Sequence, residues 1–128
     1  MDLMASRMAE GEVQEHPPIA IIDDDDLTRK STGRLLSSIG FRSEAFASAE
    51  ELLQSPRMAE TACLLLDVKM PGMGGLELQR LLVMRGFQFP IIFVSANGNK
   101  EIEIQALQGG AAAFLHKPVP PEALLAGC

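Results

Sequence analysis

The sequence predicts an α/β domain, a parallel sheet covered on both faces by helices, and three observations lead there. Short strand-like runs recur five times along the chain, four of them apolar throughout. Segments of helical length separate them, and charged residues gather directly after the apolar runs rather than within them. A strand with no polar alternation belongs in a sheet buried on both sides, and alternation with helices makes such a sheet parallel with right-handed crossovers. The resulting architecture is a doubly wound (βα)5 sandwich.

The strand candidates are IAII at 19 to 22, FRSEAF at 41 to 46, ACLLL at 62 to 66, PIIFV at 90 to 94 and AAAFL at 111 to 115. Between them, Leu27 to Ile39 reads as a helix closed by Gly40, Leu76 to Met84 as one closed by Gly86, and Lys100 to Gln108 as one closed by Gly109, since glycine accepts the left-handed conformation that ends helices. Ala49 to Gln54 is a shorter helix opened by Ser48, with the Ser48 to Glu51 spacing of a capping box. The segment EIEIQAL at 101 to 107 starts with strand-like alternation. The double glycine after it and the full strand beyond favour a helix. A fifth helix has only Pro121 to Gly127 available, a length marginal by itself. Either the chain is cut from a larger protein or a partner covers the face that a longer helix would cover.

With 128 residues the chain is the size of one domain, able to bury roughly two thirds of its unfolded surface. Residues 1–17 lack periodicity and end in Pro17-Pro18, which marks them as a flexible leader before a domain spanning 18–128. The net charge of -6, with no basic run, argues against direct binding of nucleic acid. No apolar run approaches the roughly 18 residues that a membrane helix needs, and the acidic start does not suit a secretory signal. A soluble, cytoplasmic protein is therefore expected. Cys63 lies in an apolar run and Cys128 at the end; they form no disulfide pattern, and Cys63 reads as core.

In doubly wound sheets ligands sit beyond the carboxyl ends of the strands. Those ends carry Asp23-Asp24-Asp25-Asp26, Asp67, Ser95-Ala96 and Lys117-Pro118. Carboxylates a few ångströms apart repel by roughly 1 to 4 kcal/mol per pair, so a cation must offset them. Oxygen donors with no His or Cys cluster suit Mg2+, which takes one or two carboxylates, waters and a phosphate. A metal beside a carboxylate makes phosphoryl transfer feasible, Lys117 can supply a second cation, and Ser95 can donate its hydroxyl. Asp67 follows four apolar residues, where a carboxylate is costly unless it has partners. Asp25 and Asp26 are read instead as complementing the helix that follows them.

The blocks IIDDDDLTRK, LLLDVKMPGMGGLEL, IIFVSANGN and GGAAAFLHKP, in that order and at fitting intervals, resemble the signature blocks of response-regulator receiver domains of two-component signalling. The resemblance covers Ile19 to Leu125 and points towards regulators that carry a C-terminal helix-turn-helix. It implies a flavodoxin-like fold with sheet order 2-1-3-4-5. It implies Asp67 as the phosphoacceptor, with Asp23, Asp24, Asp67 and the backbone carbonyl of Lys69 as ligands of Mg2+. Lys117 would bind the phosphoryl group and Ser95 would be the switch hydroxyl. Phe114 would change rotamer with Ser95, and a cis bond would precede Pro118. Lys69 and Asn97 would occupy positions that tune dephosphorylation. The implied partners are a sensor histidine kinase, an output domain or downstream protein in transcription regulation, and a second copy on phosphorylation. Catalysis would be limited to accepting phosphate and slowly hydrolysing it.

Two other functions fit parts of the sequence. Asp24-Asp25-Asp26-Leu27-Thr28 also reads as the DxDxT of a haloacid-dehalogenase-type phosphatase with Asp24 as nucleophile. That chemistry needs a late acidic pair, and no Asp follows Asp67. A degenerate receiver acting only as an interaction module is the other, and the presence of Asp23, Asp24, Asp67, Ser95 and Lys117 together speaks against it. His116 is expected to face away from Lys117 and to be incidental, and Met70 and Met73 to be loop packing.

Overall fold

The computed structural model describes residues 17–96, 99–117 and 122–123. Five strands, β1 (Ile19–Ile22), β2 (Ser43–Phe46), β3 (Cys63–Asp67), β4 (Ile91–Ser95) and β5 (Ala113–His116), form one sheet in the order β2-β1-β3-β4-β5. Every pairing is parallel; Ile22 lies beside Phe46 and Leu66, and Asp67 beside Val94. This is the predicted order 2-1-3-4-5. The helices are α1 (Asp26–Ser38), α2 (Ala49–Leu53), α3 (Gly75–Met84) and α4 (Lys100–Gln108), with a 3-10 turn at Met58–Glu60 before β3.

The strands run apolar because both faces are covered. On one face Ala20, Ile22, Leu64, Leu66 and Phe93 pack with Leu52 of α2, Leu78 and Leu82 of α3 and Ala106 of α4. On the other, Ile19, Ile21, Cys63, Leu65 and Ile92 pack with Leu36 of α1. Period-two alternation thus divides one strand's residues between two cores.

Local chemistry sets the helix ends. Asp25 caps α1, its carboxylate accepting from the Thr28 amide at 2.8 Å and the Thr28 hydroxyl at 2.6 Å. Ser48 accepts from the Glu51 amide at 3.1 Å, while the Glu51 carboxylate reaches back to the Ala47 amide, one residue before the cap. Asn99 accepts from the Ile102 amide at 2.8 Å, which starts α4 as a helix despite its alternating sequence. β2 begins at Ser43 rather than Phe41, because the Phe41 amide still donates to Leu36 as α1 closes.

Met70 and Met73 pack against the core, as expected of loop packing. Cys63 is buried as expected, but its sulfur is in a disulfide rather than a free thiol. That corrects the reading that no disulfide forms: pairing depends on tertiary proximity, which cysteine spacing alone did not reveal. Residues 1–16 of the expected 1–17 leader, Asn97, the Lys117-Pro118 bond and the fifth helix lie outside the described residues, apart from Glu122 and Ala123. No helix among the described residues is long and apolar enough to cross a membrane.

Candidate functional site at the strand ends

Three strands deliver the acidic groups and the lysine to one edge. Asp23 follows β1 and is fixed by its amide, which donates to the Phe46 carbonyl at 3.2 Å. Its side chain is buried, with Oδ1 accepting from the Asp25 amide at 2.9 Å and Oδ2 from Lys117 Nζ at 2.8 Å. Asp24 is exposed, and Asp67 closes β3 half-buried. Carboxylate oxygens of Asp23, Asp24 and Asp67 all lie within 4.8 Å of one another, a cluster that could hold a metal ion. Asp25 and Asp26 take structural roles at the start of α1, as expected.

The electrostatics are unbalanced. Burial and the facing Asp23, with a further contribution from Asp24, push the Asp67 carboxyl up to about 6 against the opposing pull of Lys117. Burial alone would lower the Lys117 ammonium; its hydrogen bond to Asp23 and the charges of Asp67, Asp23 and Asp25 outweigh that and raise it. Three carboxylates therefore face one ammonium already engaged with Asp23. The donor set is all oxygen and short of positive charge, which suits a hard divalent cation. A cleft of about 490 Å³, lined by Asp23, Asp67 and Lys117 with Leu35, Leu65 and Val94, runs beside these groups and gives an external group room to enter.

Ser95 ends β4 with 4% of its surface exposed, beside His116 in the β4–β5 register. Its carbonyl accepts from the Lys117 amide at 3.0 Å, which ties the lysine to the serine through the backbone. Phe114 is buried and stacks on Phe93 with ring centroids 6.1 Å apart, and His116 meets its edge from an exposed position. His116 shares the Phe114 side of β5, while Lys117 turns to Asp23, as strand alternation predicts. Lys69 lies exposed in the loop after β3.

Two residues at the site escaped sequence reasoning. Arg29, whose side chain is only 17% exposed, donates from Nη1 to the Asp23 carbonyl at 2.7 Å and from Nη2 to Asp26 at 3.0 Å, holding the end of β1 to α1. Its spacing of three from Asp26 was the available signal. Glu50 of α2 accepts from the Met73 amide at 3.2 Å and tethers the loop after β3; nothing in the sequence pointed to a contact across 23 positions.

The sequence matches the response regulator receiver domain family over residues 19–127. It is 41% identical over 107 residues to the response regulator protein TmoT of Ectopseudomonas mendocina, covering 84% of this chain and 49% of that protein. It is 39% identical over 107 residues to nodulation protein W of Bradyrhizobium diazoefficiens, covering 84% of this chain and 47% of the relative. The chain thus spans about half the length of these curated relatives. Among solved structures, the FixJ-N crystal structure superimposes with a TM-score of 0.76 at 30% identity, over 86% of this chain and 88% of that one. The response regulator StyR does so with 0.78 at 39% identity, over 88% and 57%. Sheet order, the acid cluster and these matches agree, and the chain belongs to the receiver domains of two-component response regulators.

Proposed function

We propose that this receiver is a phosphorylation-dependent switch in which Asp67 accepts a phosphoryl group from a phosphohistidine of a sensor histidine kinase. An Asp67 carboxylate oxygen bonds to phosphorus as the phosphorus–nitrogen bond breaks, and the departing imidazole recovers a proton. The observation that carries the reading is the meeting of three carboxylates with Lys117 at the strand ends.

Asp23, Asp24, Asp67 and the Lys69 carbonyl would hold Mg2+, which when bound supplies positive charge against the equatorial oxygens of the transferring group. Lys117 leaves Asp23 for one phosphoryl oxygen, and Ser95 donates its hydroxyl to another. Arg29 keeps the Asp23 backbone in place while the lysine moves. The new charge and acceptors on Asp67 draw Ser95 towards it, and Phe114 changes rotamer in the space Ser95 leaves. The switched face, α4 and β5 with the segment after them, then controls an output domain or partner protein, or pairs with a second copy. Relatives named transcriptional regulatory proteins, such as TdiR of Thauera aromatica, support an output in transcription.

The phosphatase reading is not favoured, since the family match is to receivers and the described acid cluster centres on Asp67 as well as Asp24. Intact-mass spectrometry after incubation with a small acyl phosphate and Mg2+ tests the proposal. A single labile phosphate adduct is expected, lost in Asp67→Asn and when Mg2+ is chelated. An adduct that survives in Asp67→Asn and disappears in Asp24→Asn overturns it.

A further inference from the structure

Three polar or charged side chains are buried among the described residues, and two of them, Asp23 and Ser95, belong to the strand-end site. The third is Gln79, in the middle of α3 and 2% exposed. Its Nε2 donates to the Ala106 carbonyl in the last turn of α4 at 2.9 Å. The same carbonyl accepts from the Ala111 amide at 3.0 Å as the chain leaves α4 for β5. A buried amide is unfavourable without a partner, so this bond fixes where the end of α4 can sit against α3.

A second feature is shaped around the same amide. Gly109 follows α4 with φ of −79°, which any residue adopts. The left-handed position belongs to Gly110 instead, at φ of 103°, so backbone conformation does not call for glycine at 109. A Cβ there would lie 2.8 Å from Gln79 Oε1, 2.9 Å from Cδ and 3.0 Å from Nε2. The absent side chain at 109 is what admits the Gln79 amide to the end of α4.

The other end of α3 is pressed against the phosphoacceptor strand. Gly75 lies one turn before Gln79 on the same face of the helix. A Cβ at Gly75 would lie 2.5 Å from the Asp67 carbonyl oxygen and 3.1 Å from a ring carbon of Phe93, and the Phe93 ring stacks on Phe114. The helix α3 is thus a rigid strut, seated on Asp67 at its start and bonded to α4 one turn later.

We propose that the Gln79–Ala106 hydrogen bond is a latch that holds α4 in its unphosphorylated position, and that phosphorylation at Asp67 must release it. The proposal rests on reading the chain as a phosphorylation switch. Gln79 touches neither the phosphoryl group nor its ligands, so it is a positioning residue that sets the resting balance between the two packings. A ligand shifts that balance only by its differential affinity for the two states, so weakening the latch makes a phosphate mimic bind more tightly. A neutral buried hydrogen bond contributes on the order of a five-fold factor to an equilibrium. The exposed Ile104 and Leu107 ride on the same helix, so release would re-present an apolar surface.

The test is the affinity for beryllofluoride with Mg2+, measured by calorimetry, in wild type, Gln79→Met and Gly109→Ala. Met removes the donor while keeping the volume; Ala pushes a methyl group into the intact amide and covers the case in which the first variant folds poorly. Both are expected to bind the mimic roughly five-fold more tightly, with faster hydrogen exchange at the α4 amides before it is added. A residue with a structural role only would lower the thermal midpoint and leave the affinity unchanged. Unchanged or weaker affinity in both variants overturns the latch. Wild type that fails to bind beryllofluoride sinks the switch reading and the latch with it, whereas wild-type binding with unaltered variants sinks the latch alone.

Discussion

Two charged clusters on this domain show what separates a site from a surface. Arg57 pairs with Glu44 at 3.1 Å and with Glu60 at 3.6 Å, all three side chains being a third or more exposed. At the strand ends one ammonium, Lys117, faces Asp23, Asp24 and Asp67, with the Asp23 side chain 6% exposed. The first cluster is solvated, and its repulsions are screened. In the second the charges are confined and the excess of carboxylate is left unrelieved, which is why Asp67 rises to about 6. The apolar strands beneath hold these groups together against their repulsion.

The largest effect that sharpens this contrast is chemical. Asp67→Asn should abolish phosphorylation by an acyl phosphate, and Lys117→Gln should slow it by on the order of 100-fold, as loss of one preorganised charge at a reacting group does; stopped reactions followed by mass spectrometry read both. Truncating the strand that carries the acid comes next. Leu66→Ala, fully buried beside Asp67, should cost about 2 to 5 kcal/mol in urea denaturation.

The excess of acid should then appear as a pH-dependent instability. A carboxyl raised from 3.8 to about 6 makes the folded state bind a proton more tightly than the unfolded one. This contribution is present below the unfolded value and is lost as pH rises through about 6. Asp67→Asn should therefore be more stable than wild type at pH 7, by about 1 kcal/mol once the full shift is discounted for partial exposure. The gain should fade towards pH 4, as denaturation curves at the two pH values would show. Mg2+ should offset the same instability in wild type at pH 7, and much less in the variant. An equal gain at both pH values would mean that Asp67 is not the strained acid. The smallest effect belongs to the solvated cluster: Arg57→Gln should change stability by no more than about 0.5 kcal/mol at either pH.

The strand ends were legible because burial and charge leave separate marks in sequence. Four apolar residues followed by Asp67 announce a strand that stops at a polar site, and the runs at 19 to 22 and 90 to 94 say the same of Asp23 and Ser95. The core strands therefore fell within a residue or so of their positions. Edge strand β2 was less clear, since no residue of SEAF is fully buried and its start depends on how α1 closes. Gln79 and Arg29 were hidden for a common reason. Each is a polar residue at a helical position that reads as solvent-facing, and each is covered by something distant: the missing side chain at Gly109 for one, the end of β1 for the other. A glycine double at 109 and 110 announced only a helix end, although the two glycines do different work.

The most direct test of Asp67 as the phosphoacceptor is to phosphorylate the protein, reduce it with borohydride, and sequence the peptides by mass spectrometry. Borohydride converts an aspartyl phosphate to homoserine and leaves ordinary aspartate untouched. Homoserine is expected at position 67 alone, in a Mg2+-dependent yield. Homoserine at position 24, or at none of the clustered aspartates in protein that carries phosphate, would contradict it.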